Sequence, residues 1–438
     1  MEHTLNLTMH WAGFTALAIF VASYAFVMAE EFTHLRKSKP VVLAAGLIWA
    51  IIAIAYSGTP HYEVVEHEIR HSFLEYAELA FFLLVAMTYI NALEERNVFN
   101  SLKSWLIKNQ FSYRQLFWIT GILSFFLSPL ADNLTTALVM CAVVLSVGAS
   151  SPKFVGIACI NIVVAANAGG AFSPFGDITT LMVWQAGQLE FTQFFALVIP
   201  SIVNYLIPAS IMHFFVSDHK PEIAEKTIHI KYGGKTLIVL GLLTIATAVS
   251  FHNFLHLPPV FGMMTGLAYL QLYSFYIKIK TRGVEEKTYD FFENVARVEW
   301  DTLLFFFGVI LAVGGLGFIG YLEYVSKFMY TDLGPTVANT LVGILSAIVD
   351  NIPVMFAVLT MEPAMSDSQW LLVTLTAGVG GSMLSIGSAA GVALMGQSKG
   401  LYTFFGHLKW TPAIALGCLL YTSPSPRDVS SSRMPSSA

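Results

Sequence analysis

Apolar residues in this chain come in long unbroken runs rather than in alternation, and the runs are separated by short polar segments. A helix needs about 20 mostly apolar residues to cross a bilayer. On that length scale spans are predicted at about 11–29, 40–57, 73–92, 154–187, 191–216, 237–251, 259–279, 301–320, 371–398 and 409–421, the last too short to cross alone. Two further apolar stretches, about 115–149 and 335–361, each carry one Asp-Asn pair near the middle. The first is too long for an ordinary single span, and both are read as re-entrant helical hairpins with the Asp-Asn at or near the tip. Irregular backbone at membrane depth is tolerated only where protein covers it or it lines a wet cavity, so the tips should point at a site.

Three polar patterns occur twice, in two hydrophobic halves. S-x-x-x-D-N runs from Ser128 to Asp132-Asn133 and from Ser346 to Asp350-Asn351. A Gly-Gly pair followed six residues later by Gly and a small polar or acidic residue gives Gly169-Gly170 to Gly176-Asp177, then Gly380-Gly381 to Gly387-Ser388. E-[YW]-x-x-L-x-F-F begins at Glu75 and again at Glu299. Carboxylates and glycine breaks at matching places in two apolar halves are the mark of a secondary transporter whose site lies between internal repeats.

Composition agrees with the runs. Of 438 residues, 55% are hydrophobic and 12% charged, against roughly 25% charged in a soluble domain. The net charge of −5 is spread thinly, and no basic stripe suggests nucleic acid. Lys and Arg gather in alternate loops: Arg36 to Lys39, Arg96 to Arg114, Lys220 to Lys235 and Lys278 to Arg297. The loop 58–71 is acidic instead. By the positive-inside rule this places the N-terminus outside and, with the hairpins re-entrant, all basic loops on one face. The first motif helix then runs inward and the second outward, so the repeats are inverted. The first apolar run lacks a basic n-region and is longer than a usual h-region, so it is read as a retained helix and not a signal peptide. From Thr422 the sequence turns to a Ser- and Pro-rich tail foreign to the rest of the chain. The expected organisation is a first repeat with leading helices at 11–217, a cytoplasmic linker at 218–236, a second, inverted repeat at 237–421, and that tail at 422–438. Cys141, Cys159 and Cys418 show no metal spacing and read as small apolar fillers.

Candidate chemistry centres on Asp132 and Asp350. A carboxylate in a bilayer costs several kcal/mol unless protonated, paired or bound to a cation. Helix capping would explain one Asp-Asn pair and is compatible with an ion site; two equivalent pairs point to the site. Asn167, Ser173 and Asp177 lie in the first glycine-rich break, where freed carbonyls and side-chain oxygens suit a hard cation such as Na+. Ser382, Ser385 and Ser388 lie in the second. Close helix packing through small residues is the other reading of the glycines, but packing does not require Asp177. Glu75, Glu78, Glu299 and Asp301, read as lying at helix starts, either favour those ends electrostatically or form an ion pathway. The tips and breaks hold no Lys or Arg, which an anionic substrate would often want, and no phosphate loop, nucleophile elbow or zinc motif is present.

The stretches SPLADNLTTAL (128–138), NAGGAFSPFGDITTLMVW (167–184), SAIVDNIPVMFAV (346–358) and GGSMLSIGSAAGVALMGQ (380–397) resemble the NhaD-type sodium/proton antiporters of the ion transporter superfamily. The resemblance runs from about residue 11 to 417 and fails in the tail. It implies exchange of cytoplasmic Na+ or Li+ for external H+ in alkaline pH homeostasis, a bacterial inner membrane and a homodimer. Residue by residue it falls on Asp132, Asn133, Asp177, Asp350, Asn351, Ser385 and Ser388, with Glu75, Glu299, Asp301 and Thr302 as supporting polar positions.

The expectation is an all-α polytopic membrane protein: an inverted-repeat transporter with about ten spans, two re-entrant hairpins and two broken helices. Na+ is expected at Asp132, Asn133, Asp350 and Asn351, with Asp177, Ser385, Ser388, Ser173 and Asn167 completing the cation and proton site. Na+, Li+ and H+ are cargo and no cofactor is expected; the partners are the lipid bilayer and monovalent cations, and the chain is not expected to be an enzyme. A Na+-coupled carrier of a small anion such as a dicarboxylate is the alternative. An intramembrane hydrolase using Asp132 and Asp350 would not need the paired glycine breaks; a channel is a further alternative, distinguished by the absence of proton coupling.

Overall fold

Helix is the form in which an apolar segment satisfies its own backbone, and the apolar runs fold accordingly. The computed structural model describes residues 6–33, 35–60, 62–109, 111–148, 151–220, 228–282 and 289–422. Among them, eight helices are long and apolar enough to cross a membrane: Trp11–Met28, Ser38–Tyr56, Tyr62–Glu95, Pro152–Gly170, Phe191–His213, Gly234–Leu255, Pro259–Thr281 and Trp300–Ile319. Shorter segments of a helix that breaks midway lie at Asp367–Gly380 and Ala389–Gln397, and a last helix lies at Thr411–Thr422. Most of the foreign tail, and the linker from 221 to 227, fall outside the described residues.

The chain forms two compact units, and each takes segments from both sequence halves. The first comprises residues 1–102, 227–327 and 356–362; the second comprises 103–226, 328–355 and 363–438. The first unit is built around Trp300–Ile319, whose apolar window is 78% buried. Trp49 Nε1 donates to the Leu311 carbonyl at 2.8 Å and ties Ser38–Tyr56 to it. The second unit is built around Pro152–Gly170, 89% buried over its window. A buried polar group needs a partner, and Asn161 on this helix donates to the Phe117 carbonyl at 2.9 Å.

Local sequence sets the helix ends. Ser112 and Gln115 form a reciprocal capping box at the start of Tyr113–Ala131, and Pro152 occupies the first turn of its helix, where a missing N–H costs nothing. One expectation is corrected here. The acidic segment 58–71 is largely helix, since Tyr62–Glu95 is continuous over 34 residues. Its residues favour helix through pairs one turn apart: Arg70 meets Glu66 at 2.7 Å and His71 meets Glu75 at 3.5 Å. Glu75 and Glu78 therefore lie well inside a helix and not at its start, while Glu299 does precede its helix as the N-cap residue.

Candidate ion site

Four helix breaks in the second unit build the site. The apolar stretch at 115–149 splits into Tyr113–Ala131 and Asn133–Val147. The stretch at 335–361 splits into Pro335–Ile348 and Asn351–Thr360. The helix at 154–187 breaks after Gly170 and resumes at Ile178, and that at 371–398 breaks after Gly380 and resumes at Ala389.

The two copies share the same contacts. Ser128 Oγ donates to the Ala166 carbonyl at 2.6 Å, and Ser346 Oγ to the Ala377 carbonyl at 2.6 Å. The conserved geometry gives the serine of S-x-x-x-D-N its purpose: it clamps the split pair to the broken helix. A Cβ on Gly170 would lie 2.5 Å from the Gly176 carbonyl oxygen, and one on Gly381 would lie 2.6 Å from that of Gly387. Each break therefore folds back on itself as only glycine permits. Close packing through small residues is thus real at both breaks. Asp177 then caps the helix beyond the first break through Thr179 N, and Ser388 caps its counterpart through Gly391 N.

Asp177 is the hub. It is 3% exposed. Its Oδ1 accepts from Thr179 N at 3.0 Å and Thr179 Oγ1 at 3.1 Å. Asn133 Nδ2 donates to Oδ2 at 3.1 Å, and Asn351 Nδ2 lies 3.3 Å from Oδ2 and 3.4 Å from Oδ1. The asparagines of both Asp-Asn pairs thus converge on one carboxylate. Asn133 also donates to Asn167 Oδ1 at 3.0 Å, and Asn167 Nδ2 reaches Ser382 Oγ at 2.9 Å and Ser388 Oγ at 3.0 Å. One hydrogen-bonded chain therefore runs from the first break to the second.

The remaining sequence candidates fall as follows. Asp132 is half-buried and caps its own helix: Oδ1 accepts from Thr135 N at 2.8 Å and Oδ2 from Thr135 Oγ1 at 2.9 Å. Asp350 is half-buried and directly precedes Asn351, whose amide reaches Asp177. Ser173 Oγ donates to the Pro129 carbonyl at 2.9 Å, holding the first break against the first split pair. Ser385 is fully buried, and its hydroxyl has no hydrogen-bond partner among the described residues. Glu75, Glu299, Asp301 and Thr302 belong to the first unit. There Thr302 Oγ1 donates to Glu299 at 3.1 Å and Ser38 Oγ to Asp301 at 2.5 Å.

Four contributors were given no role from the sequence. Thr179 stands two residues after Asp177 and Thr135 three after Asp132, both in capping register, a signal that could have named them. Ser128 and Ser346 were inside a noted motif without a role. The cysteines are buried free thiols, as expected of fillers.

Every described side chain in the cluster is a carboxylate, amide or hydroxyl. Among the described residues no group of three or more His, Cys, Asp or Glu could hold a metal ion. Hard oxygen donors without thiolate or imidazole suit an alkali cation better than a transition metal.

Comparison with known proteins places the chain in a family. A family model described as "Citrate transporter" matches residues 7–378. The protein named Na(+)/H(+) antiporter NhaD of Alkalimonas amylolytica is 56% identical over 434 residues, covering 94% of this chain and 90% of that protein. The NhaD of Vibrio parahaemolyticus is 57% identical over 404 residues, covering 87% and 98%. Sodium/proton antiporter 1 of Arabidopsis thaliana is 32% identical over 399 residues, covering 87% and 66%. The crystal structure of the Alcanivorax borkumensis YdaH transporter shares the fold, with a TM-score of 0.50 at 12% identity over 87% of this chain and 96% of that one. The chain is a multi-pass membrane protein that belongs to the family this model describes and, within it, to the NhaD antiporters.

Proposed function

We propose that this chain is a secondary antiporter that exchanges cytoplasmic Na+ or Li+ for external H+. The observation that carries the reading is the convergence of Asn133 and Asn351, one from each Asp-Asn pair, on the buried carboxylate of Asp177. The similarity to proteins named Na(+)/H(+) antiporters supports it.

A proton and Na+ compete for the same carboxylate oxygens. Binding one shifts the equilibrium for the other, and that competition is the coupling. Asp177 is the shared ligand, with Asp132 and Asp350 supplying the remaining negative charge. The Asn133, Asn167 and Asn351 amides turn their oxygens to the cation when it replaces the proton. Ser385, whose buried hydroxyl needs a partner, and Ser388 complete the oxygen set, and Ser173 holds the break in place. No cofactor is required. The matched contacts of the two copies support inverted repeats, with the split pairs as re-entrant hairpins that expose the site to one side at a time. Loop charge supports an N-terminus outside, and the bacterial relatives an inner membrane. A homodimer rests on the resemblance to the family, and a purely transporting, non-enzymatic role on the relatives' names.

The test uses inverted vesicles from a bacterial strain lacking its own sodium antiporters. A respiration-driven pH gradient is formed, and Na+, Li+ or K+ is added between about pH 7 and 9. Na+ and Li+ should collapse the gradient, and Asp177→Asn and Asp132→Asn should abolish the response at unchanged protein abundance. Full exchange in either variant removes that residue from the site. The family description of citrate transport favours a second reading, a Na+-coupled carrier of a small anion. Uptake of labelled dicarboxylate that requires Na+, with no cation-for-proton exchange, would establish it instead.

A further inference from the structure

Helix Asp367–Gly380 ends at the second break, so its last carbonyls lose their helical donors. Two of the next carbonyls are taken up by one later segment of the chain. His407 Nε2 meets the Ser382 carbonyl at 2.8 Å, and Thr411 Oγ1 donates to the Met383 carbonyl at 2.6 Å. The far side of the imidazole is held as well: His407 Nδ1 and Tyr402 OH are 2.7 Å apart. Tyr402 is in turn seated by Ser398, whose hydroxyl accepts from Tyr402 N at 3.1 Å. His407 is 0% exposed and Tyr402 is 2% exposed.

The contacts fix the ring. A nitrogen against a carbonyl must carry the hydrogen, so Nε2 donates to Ser382 and Nδ1 accepts from the Tyr402 hydroxyl. Burial pushes the imidazole down to about 4, against the opposing effect of the Ser382 hydrogen bond. The donor behind the break is therefore neutral. A lysine or arginine would also donate there, but would set a positive charge behind the place where a cation binds.

The residue that His407 holds is special to the second copy. Register of the glycine pairs aligns Ser382 with Ala171, which has no hydroxyl. Ser382 Oγ receives one of the two Asn167 amide bonds that join the breaks. We propose that His407 is a positioning residue for the cation site, fixing the Ser382 turn from behind so that its hydroxyl orients Asn167. This rests on the antiport reading above. The imidazole touches neither cation nor proton; it sets how well the oxygen ligands are arranged before the cation arrives.

The test measures Na+-driven proton release in the same inverted vesicles, with protein abundance in the membrane measured alongside. Wild type and Asp177→Asn are run with His407→Ala, His407→Gln and Tyr402→Phe. Loss of the donor should raise the Na+ concentration for half-maximal exchange about three- to tenfold in His407→Ala, as for one lost hydrogen bond. The maximal rate should stay near wild type. The amide N–H of His407→Gln should recover part of the affinity, and Tyr402→Phe, which frees the Nδ1 side, should show a smaller rise. If His407→Ala does not accumulate, Tyr402→Phe decides: a raised half-maximal concentration supports the assignment and a wild-type value overturns it. A wild-type half-maximal concentration in His407→Ala, or a fall in maximal rate alone, also overturns it. Inert wild-type vesicles, or full exchange in Asp177→Asn, would instead bring down the functional reading.

Discussion

Asp132 adopts φ 55° and ψ 162°, a conformation that glycine accepts and that costs other residues about 1–3 kcal/mol. The strain sits at the break between two helices, on a residue that also caps the second. Asp132→Gly relieves it and Asp132→Ala does not, while both lose the cap and the carboxylate. Purified Asp132→Gly should therefore melt above Asp132→Ala, by the equivalent of about 1 kcal/mol. Equal melting temperatures would mean that the backbone there is relaxed. At Gly378 a Cβ would lie 3.6 Å from Asp177 Oδ2, an ordinary contact. Gly378→Ala should leave protein abundance unchanged and narrow the space beside the carboxylate, weakening Na+ response more than Li+ response. Individual residues were partly legible in the sequence. Asp177 stood out because a glycine break does not need an acid. Its partnership with Asn133 and Asn351 did not, since no spacing links positions 133, 177 and 351. No sequence pattern singled out His407, because its value lies in two contacts that only the folded chain makes.

Helices were the most legible elements, because a run of apolar residues has one acceptable form in a bilayer. Trp11–Met28, Ser38–Tyr56 and Trp300–Ile319 match the expected 11–29, 40–57 and 301–320 closely. The acidic approach to Tyr62–Glu95 was misjudged, since charge was taken as a loop signal where pairs one turn apart make it helix. At 34 residues that helix is about 51 Å long by its 1.5 Å rise, well beyond a hydrocarbon core of about 30 Å. The breaks were foreseen from glycine and proline, but their clamps were not. The clamps make a paired prediction. Ser128→Ala and Ser346→Ala each remove a buried donor from an equivalent carbonyl. Each should lower stability by about 0.5–1.5 kcal/mol, the net worth of one hydrogen bond, read as matching drops in melting temperature. A large effect in one and none in the other would break the equivalence of the copies. Gly170→Ala and Gly381→Ala should both fail to accumulate, because the new methyl would meet backbone oxygen at 2.5 Å and 2.6 Å.

At the scale of the whole molecule, sequence halves and compact units do not coincide. Repeats were sought as consecutive halves, whereas the chain contributes to its first unit three times. Periodicity reports which segments resemble each other and says nothing of which segments pack together. The oxygen cluster lies entirely within the second unit, while Glu75 and Glu299 lie in the first. Glu75→Gln and Glu299→Gln should accordingly leave the half-maximal Na+ concentration within about twofold, whatever they do to the rate. A shift of about tenfold, or 1.4 kcal/mol, would show that the first unit supplies a ligand.

The convergence of Asn133 and Asn351 on Asp177 also bears on how the protein is made. A ribosome that has released Asp177 into the membrane has still to synthesise Asn351, and after it Ser382 and Ser388. Until then the carboxylate lacks one donor, and Asn167 lacks both hydroxyls. A chain cut before residue 351 never assembles this hydrogen-bond network. The complete network is thus a property of the finished chain, closed only once Ser388 has been made.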